Sequence, residues 1–256
     1  MPTKLFDLTG RAALVTGGSK GLGKAMARGF AEAGADVVIS SRHAEELKAA
    51  EKEIGEGLGV RVASVVADLS NHDEPSRLAA AALQALGKVD ILVNNAGSNA
   101  PRAIDQLRDE EWDRLLQLNL TSCMALCRAL VPGMMERRWG RVIHISSVLG
   151  LTGKAGRGSY CATKSALIGL TRATALDLGP YGVTVNCIAP GPFLTDLPMS
   201  ILSEEQKTEF AARTALGRWA DPRELVGPAL MLASDAGSYV TGSTVVVDGG
   251  LLANGL

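Results

Sequence analysis

The 256-residue chain is poor in the side chains that build metal and disulfide sites. Its four cysteines, Cys123, Cys127, Cys161 and Cys187, form no Cys-x-x-Cys pair, so they are expected to be buried thiols, neither disulfides nor ligands. The three histidines, His43, His72 and His144, are scattered, and no metal centre is expected from them. No excess of either charge is present: 26 basic and 27 acidic residues leave a formal net charge of -1. That balance offers no electrostatic basis for binding nucleic acid or an anionic membrane. Apolar runs have the length of strands, short of the roughly 20 residues that a bilayer span needs. The opening Met1-Pro2-Thr3-Lys4-Leu5-Phe6-Asp7 contains no apolar secretion core. The expectation is a cytoplasmic protein with no metal, membrane or nucleic-acid partner.

What the chain does have is alternation. Ala12-Ala13-Leu14-Val15 is a strand-like run that ends in Thr16-Gly17-Gly18-Ser19-Lys20-Gly21-Leu22-Gly23, and an amphipathic helix pattern follows to residue 33. Strand, glycine turn and helix in that order make a phosphate cradle, because glycines let the backbone approach and the helix start offers free N–H groups. The next strand, 36–41, leads into Arg42 and His43. In dinucleotide folds an acidic residue about 20 positions past the glycines takes the ribose 2′-hydroxyl, and an arginine there accommodates a 2′-phosphate. Ser41 and Arg42 occupy that place and Lys20 adds a cation, which favours NADP(H) over NAD(H). An arginine that only solvates a helix start is the competing reading.

Downstream, residues 61–67 alternate and end at Asp68-Leu69, a site suited to an adenine edge. Residues 89–93 run into Asn94-Asn95-Ala96-Gly97, and 110–135 read as a long helix interrupted near Asn119. A strand over 140–145 ends at Ser146-Ser147, a helix carries Tyr160 to about residue 178, and strand 183–188 is stopped by Pro190-Gly191-Pro192. Asp221-Pro222-Arg223-Glu224 is a capping box that opens a helix to about residue 234. A last strand, 243–247, precedes Asp248-Gly249-Gly250. No linker or repeat interrupts the series. The pattern predicts one α/β domain over 1–256, a Rossmann-type doubly wound parallel sheet of about seven strands with the site at the strands' carboxyl ends.

Tyr160-Cys161-Ala162-Thr163-Lys164 is the chemical centre of this reading. On a helix, residues four apart share a face, so the Tyr160 hydroxyl and Lys164 ammonium point the same way. A free phenol ionises near pH ~10, and a neighbouring cation favours the phenolate, which suits a general acid or base.

Together, Thr16 to Gly23 as spelled out above, Asp68, Asn94-Asn95-Ala96-Gly97, Asn119, Ser147, Tyr160, Lys164, Pro190-Gly191 and Asp248-Gly249-Gly250 resemble the short-chain dehydrogenase/reductase family over nearly the whole chain. The resemblance implies that Tyr160 exchanges a proton with a ketone or alcohol oxygen as hydride passes to or from a nicotinamide. It implies that Ser147 holds that oxygen and that Lys164 acidifies Tyr160 and binds the nicotinamide ribose. Asn119, otherwise readable as a satisfied core amide, would hold a water in a proton path to Lys164. Gly17, Ser19, Lys20, Gly21 and Leu22 would line the pyrophosphate and adenosine side, with Ser41 and Arg42 at the 2′-phosphate and Asp68 and Leu69 at the adenine. Asn95, Ala96 and Gly97 would meet a ribose, and Pro190, Gly191, Phe193 and Thr195 the nicotinamide. A homotetramer or dimer is implied, built on the helices carrying Asn119 and Tyr160 and on the tail 243–256.

The substrate pocket is expected at 98–102, at 149–157 including Leu149, and under a lid at about 191–219 that includes Leu197. Arg102 and Arg157 could anchor a carboxylate; solvated arginines are the competing reading. Gly217-Arg218-Trp219-Ala220-Asp221-Pro222 resembles the gluconate 5-dehydrogenase-like branch, which implies a sugar acid or polyol as substrate. The alternatives are a 3-oxoacyl-carrier-protein reductase, a broad carbonyl reductase, and a redox-sensing NADP-binding protein without turnover. For the carrier reductase Arg138 matches one carrier-docking position, but Tyr181 stands where a second cation is expected.

Overall fold

Seven runs rich in valine, isoleucine and alanine pair into one all-parallel sheet in the computed structural model, which describes residues 4–195 and 202–254. The strands are β1 (Ala12–Thr16), β2 (Asp36–Ser41), β3 (Val62–Val66), β4 (Ile91–Asn94), β5 (Gly140–Ile145), β6 (Val183–Pro190) and β7 (Thr244–Val247). Their order is β3-β2-β1-β4-β5-β6-β7. The direction of winding reverses between β1 and β4, where Val15 pairs with both Ile39 and Val93. At such a switch point the loops leaving neighbouring strands diverge and open a crevice.

The α-helices among the described residues are α1 (Gly21–Glu32), α2 (Ala44–Gly55), α3 (Glu74–Leu86), α4 (Asp109–Leu116), α5 (Ser122–Glu136), α6 (Gly158–Leu178), α7 (Glu204–Arg213) and α8 (Val226–Ala233). Side chains alternate across each strand, and the two cores follow that alternation. Ala13, Val15, Val37 and Ile39 face α1, α2 and α8, where Phe30, Ile54 and Leu232 are buried. Ala12, Leu14, Val38 and Leu92 face α3, α5 and α6, packing on Leu78, Leu126 and Leu178. Both faces are covered, as an all-parallel sheet requires.

Two features of the chain reading take a definite form. The interruption near Asn119 is a π-helical turn, Gln117–Thr121, between α4 and α5, a local underwinding that recurs at functional sites. The capping box at Asp221 opens with a single 3₁₀ turn, Pro222–Leu225, before α8 begins. The composite helix Asp109–Glu136 is long and apolar enough to cross a membrane, contrary to the strand-length runs expected from the sequence. Its Leu126, Leu130 and Met134 lie buried against the sheet, so it is a core helix.

Phe30 is fully buried between α1 and the sheet. Replacing it with alanine leaves a cavity and is expected to cost about 3–5 kcal/mol of stability, read as a shifted midpoint of urea unfolding with an unchanged slope.

Candidate active site

The end of β5 is stitched to α6 by two hydrogen bonds that cross in opposite directions. Lys164 donates from Nζ to the Ile145 carbonyl at 2.7 Å, and Ser146 Oγ donates to the Lys164 carbonyl at 2.8 Å. Lys164 is thereby only 4% exposed, and its ammonium lies 5.6 Å from the centre of the Tyr160 ring, one helical turn away. Ser146 spends its hydroxyl on the helix. Ser147, in extended backbone, accepts at Oγ from the Leu149 N–H at 3.1 Å and lines the open side. Gly150 makes this contact possible: a Cβ there would stand 2.6 Å from Ser146 Oγ and 2.9 Å from the Lys164 carbonyl oxygen.

Asn119 lies behind Lys164, fully buried, with its amide satisfied on both sides. Its Nδ2 donates to the Ser98 carbonyl at 3.0 Å and to Thr163 Oγ1 at 3.1 Å, and its Oδ1 accepts from the Ser98 N–H at 2.9 Å. Thr163 Oγ1 donates in turn to the Tyr160 carbonyl at 2.9 Å. The amide therefore ties the loop after β4 to the helix that carries the tyrosine. A Cβ on Gly97 would lie 3.2 Å from Asn119 Oδ1, a tight contact, and 3.4 Å from Lys164 Nζ, an ordinary one.

The glycine turn after β1 is closed by the loop after β4. Asn95 donates from Nδ2 to the Thr16 carbonyl at 2.8 Å, while Thr16 Oγ1 accepts from the N–H groups of Asn95 and Ala96, both at 3.0 Å. Gly17 has φ +65°, and a Cβ on Gly23 would meet the Gly17 carbonyl oxygen at 2.2 Å. Only glycine permits the first turn of α1 to press on the turn before it. No side chain caps that helix start at Lys20. Its first N–H groups remain available to an anion, so the residues fit a dinucleotide pyrophosphate.

At the adenosine end Ser19 Oγ lies 3.1 Å from Ser41 Oγ and 3.4 Å from Glu46 Oε2, and Lys20 pairs with Glu46 at 3.6 Å. Arg42 is exposed beside His43, with Nε 3.1 Å from the ring Nε2. The Asp68 carboxyl is held below its ordinary range, first by the hydrogen bond from Ser70 Oγ at 2.7 Å and further by the charges of Arg42 and Arg114.

A cleft of about 610 Å³ runs along this edge of the sheet. It brings together the expected Lys20, Gly21, Leu22, Asn95 and Gly97 at one side with Ser147, Leu149, Arg157, Tyr160 and Lys164, and it includes Pro190, Gly191, Phe193 and Thr195. Ser41, Arg42, Asp68 and Leu69 lie beyond its lining, as does Asn119. Arg102 does not join it. Its guanidinium pairs with Glu111 at 3.5 Å, a partner that sequence spacing could not reveal. Leu197 lies outside the described residues. The chain reading missed Leu251, Leu252 and Asn254, which close the cleft from the carboxyl-terminal tail; no local pattern in that segment signals it.

A family model described as enoyl-(acyl carrier protein) reductase matches residues 17–252. The 3-oxoacyl-acyl-carrier-protein reductase of Vibrio cholerae is 38% identical over 96% of this chain and 99% of its own length. Gluconate 5-dehydrogenase of Gluconobacter oxydans is 36% identical over 96% of both chains. Among solved structures, a gluconate 5-dehydrogenase from Burkholderia cenocepacia, in complex with NADP and tartrate, superposes with a TM-score of 0.91 at 34% identity, covering 98% of each chain.

Nucleophiles near the site are silenced by burial. Burial pushes the Cys123 thiol up to about 11 and Cys127 to about 12. Burial, aided by the Lys164 charge, presses His144 down to about 4, so its ring is neutral at physiological pH. Cys187 is raised by burial as well, leaving Cys161 as the partly exposed thiol. Titration with a disulfide reagent at mildly alkaline pH is expected to modify Cys161 alone in the native protein and all four cysteines after unfolding; fast labelling of a second thiol would contradict the burial.

Proposed function

Because the chain belongs to the short-chain dehydrogenase/reductase family, oxidoreductases acting on CH–OH and C=O groups, we propose that it transfers hydride between NADP(H) and a ketone or secondary alcohol of a small polar molecule, a sugar acid or polyol. The observation that carries this reading is the convergence of Ser147, Tyr160 and Lys164 on one cleft whose other end is the uncapped start of α1.

In the reductive direction Ser147 holds the substrate carbonyl oxygen beside the Tyr160 hydroxyl. The reduced nicotinamide, when bound, supplies the hydride to the carbonyl carbon. As the C=O π pair moves onto oxygen, that oxygen takes the phenolic proton of Tyr160. The Lys164 ammonium, fixed by the Ile145 carbonyl, stabilises the negative charge left on the phenol. A proton from solvent then restores the hydroxyl. Asn119 acts at one remove, holding the loop of Ser98 against Thr163 and so fixing the turn that presents Tyr160. Alcohol oxidation runs through the same groups in reverse.

The preference for NADP(H) is supported by Ser41 and Arg42 at the end of β2, neither of them a carboxylate. The hydroxyls of a sugar acid or polyol are supported by Asn99, which lines the cleft and whose buried Oδ1 has no hydrogen-bond partner among the described residues. A polyhydroxylated substrate satisfies such an acceptor, and an acyl chain leaves it unpaired. The carrier reductase is the second reading, favoured by the Vibrio cholerae relative. Against it, Tyr181 stands at one docking position and Arg138 donates to the adjoining Pro180 carbonyl at 3.0 Å. A homotetramer is supported by the exposed apolar Leu176 on α6 and Val246 on β7.

Tyr160→Phe is expected to lower kcat by roughly 10²–10⁴-fold while NADPH affinity, followed by fluorescence titration, changes little; a fully active variant would remove the assigned acid. Arg42→Asp is expected to reverse the cofactor preference by raising KM for NADPH at least tenfold while leaving NADH usable. Both are read at the nicotinamide absorbance with gluconate, keto-sugar acids and acetoacetyl thioesters, and turnover of the thioester alone would favour the carrier reading.

A further inference from the structure

Three cations border the cleft away from the glycine turn. Lys154 and Arg157 lie on the loop between β5 and α6, and Arg213 ends α7. Among the described residues no aspartate or glutamate lines the cleft, and none lies within ion-pair distance of these three. The contrast with Arg102 is direct: it sits across a backbone bridge from Arg157, yet its guanidinium is held by Glu111. Arg157 Nη1 is shut off from solvent and has no hydrogen-bond partner among the described residues. Lys154 rests on the face of Phe210, Nζ 4.2 Å from the ring centre. Burial first, and then the charges of Arg157 and Arg213, hold its ammonium below the ordinary range, with exposed Glu209 acting in the opposite direction from beyond ion-pair distance. Three cations lining one part of the cleft, with no carboxylate beside them among the described residues and one buried guanidinium nitrogen left unpartnered, suit an anionic group.

We propose that Lys154, Arg157 and Arg213 together bind one oxyanion terminus of the substrate, a carboxylate or a phosphate monoester, and so select acidic over neutral substrates. The proposal rests on the hydride-transfer reading of the same cleft and adds where the substrate's charged end is held. Arg157 immediately precedes α6 and Tyr160 is three residues on, roughly 4.5 Å along the axis. The two residues therefore stand at the same end of α6, where one small molecule can reach both. The phosphates of the dinucleotide belong at the other side, on the glycine turn and Arg42, and do not compete for these cations.

The test is titration calorimetry on the protein saturated with NADP⁺, using D-gluconate, sorbitol 6-phosphate and neutral sorbitol as probes. In the wild type at least one charged probe is expected to bind tenfold or more tightly than sorbitol, and the one that gains identifies carboxylate or phosphate. Arg157→Gln, and separately the double variant Lys154→Gln/Arg213→Gln, are expected to lose at least tenfold for that probe and less than twofold for sorbitol, with NADP⁺ affinity and Tm retained. Charged probes that bind no better than sorbitol, or variants that lose all probes equally, would overturn the proposal. Because the readout is binding, a wild type that holds gluconate through these residues but turns over no hydroxy or keto acid would count against the hydride-transfer reading and leave the anion receptor standing.

Discussion

The site depends on the bond from the Lys164 ammonium to the Ile145 carbonyl. That carbonyl belongs to the last residue of β5, so the carboxyl end of a buried interior strand is joined to the second turn of α6 by a charged donor. A lysine is long, flexible and costly to bury alone. Here the strand end satisfies one of its three donors, and Ser146 returns a bond to its own carbonyl. The result is a cation fixed in direction although the residue is 96% removed from solvent. Everything presented to the cleft from this side takes its position from that stitch. Ser147 is displaced to the open face because Ser146 is occupied, and Tyr160 is set one turn back along the same helix face.

The polar groups behind the stitch explain why its charge is not dissipated. Asn94 and His144 sit on adjacent strands at matching register, with Asn94 Nδ2 3.2 Å from His144 Nδ1. The imidazole is driven neutral by burial and by the Lys164 charge, so it does not compete with Tyr160 for the lysine as a second proton carrier. Cys123, Cys127 and Cys187 fill the same layer as protonated thiols. The fold has surrounded one functional cation with groups that are polar enough to tolerate it and too deeply buried to ionise against it.

How much of this was legible in the chain follows from the range of the interactions. The strands, their order of appearance and the glycine turn were readable because they rest on local periodicity and on the intolerance of a Cβ at Gly17 and Gly23. The break at Asn119 was readable as a polar residue inside an apolar helix, though its π-helical form was not. The partnership of Asn119 with Thr163 was hidden, since it joins helices 44 residues apart. Arg102 and Arg157 looked equivalent on paper. Tertiary structure separates them by supplying Glu111 to one and, among the described residues, no carboxylate to the other. The tail residues Leu251, Leu252 and Asn254 reach the cleft only because Gly249 and Gly250, both at positive φ, turn the chain back after β7.

The distribution of charge along the cleft gives the last step. Cations stand at both of its ends, Lys20, itself paired with Glu46, near the glycine turn and Lys154, Arg157 and Arg213 beyond Tyr160, while among the described residues no carboxylate lines it. A chain of net charge -1 has no general excess of positive potential, so this one must be made locally, by pairing other arginines with acids elsewhere. Arg102 with Glu111, Arg218 with Glu224 and Arg77 with Glu74 are removed in that way. Under the proposed function, a cleft lined by cations and by no described carboxylate would draw an anionic cofactor and an anionic substrate to its two ends. On that reading the reduced nicotinamide, which is neutral, and the uncharged reacting carbon would be the parts left to meet beside Ser147 and Tyr160.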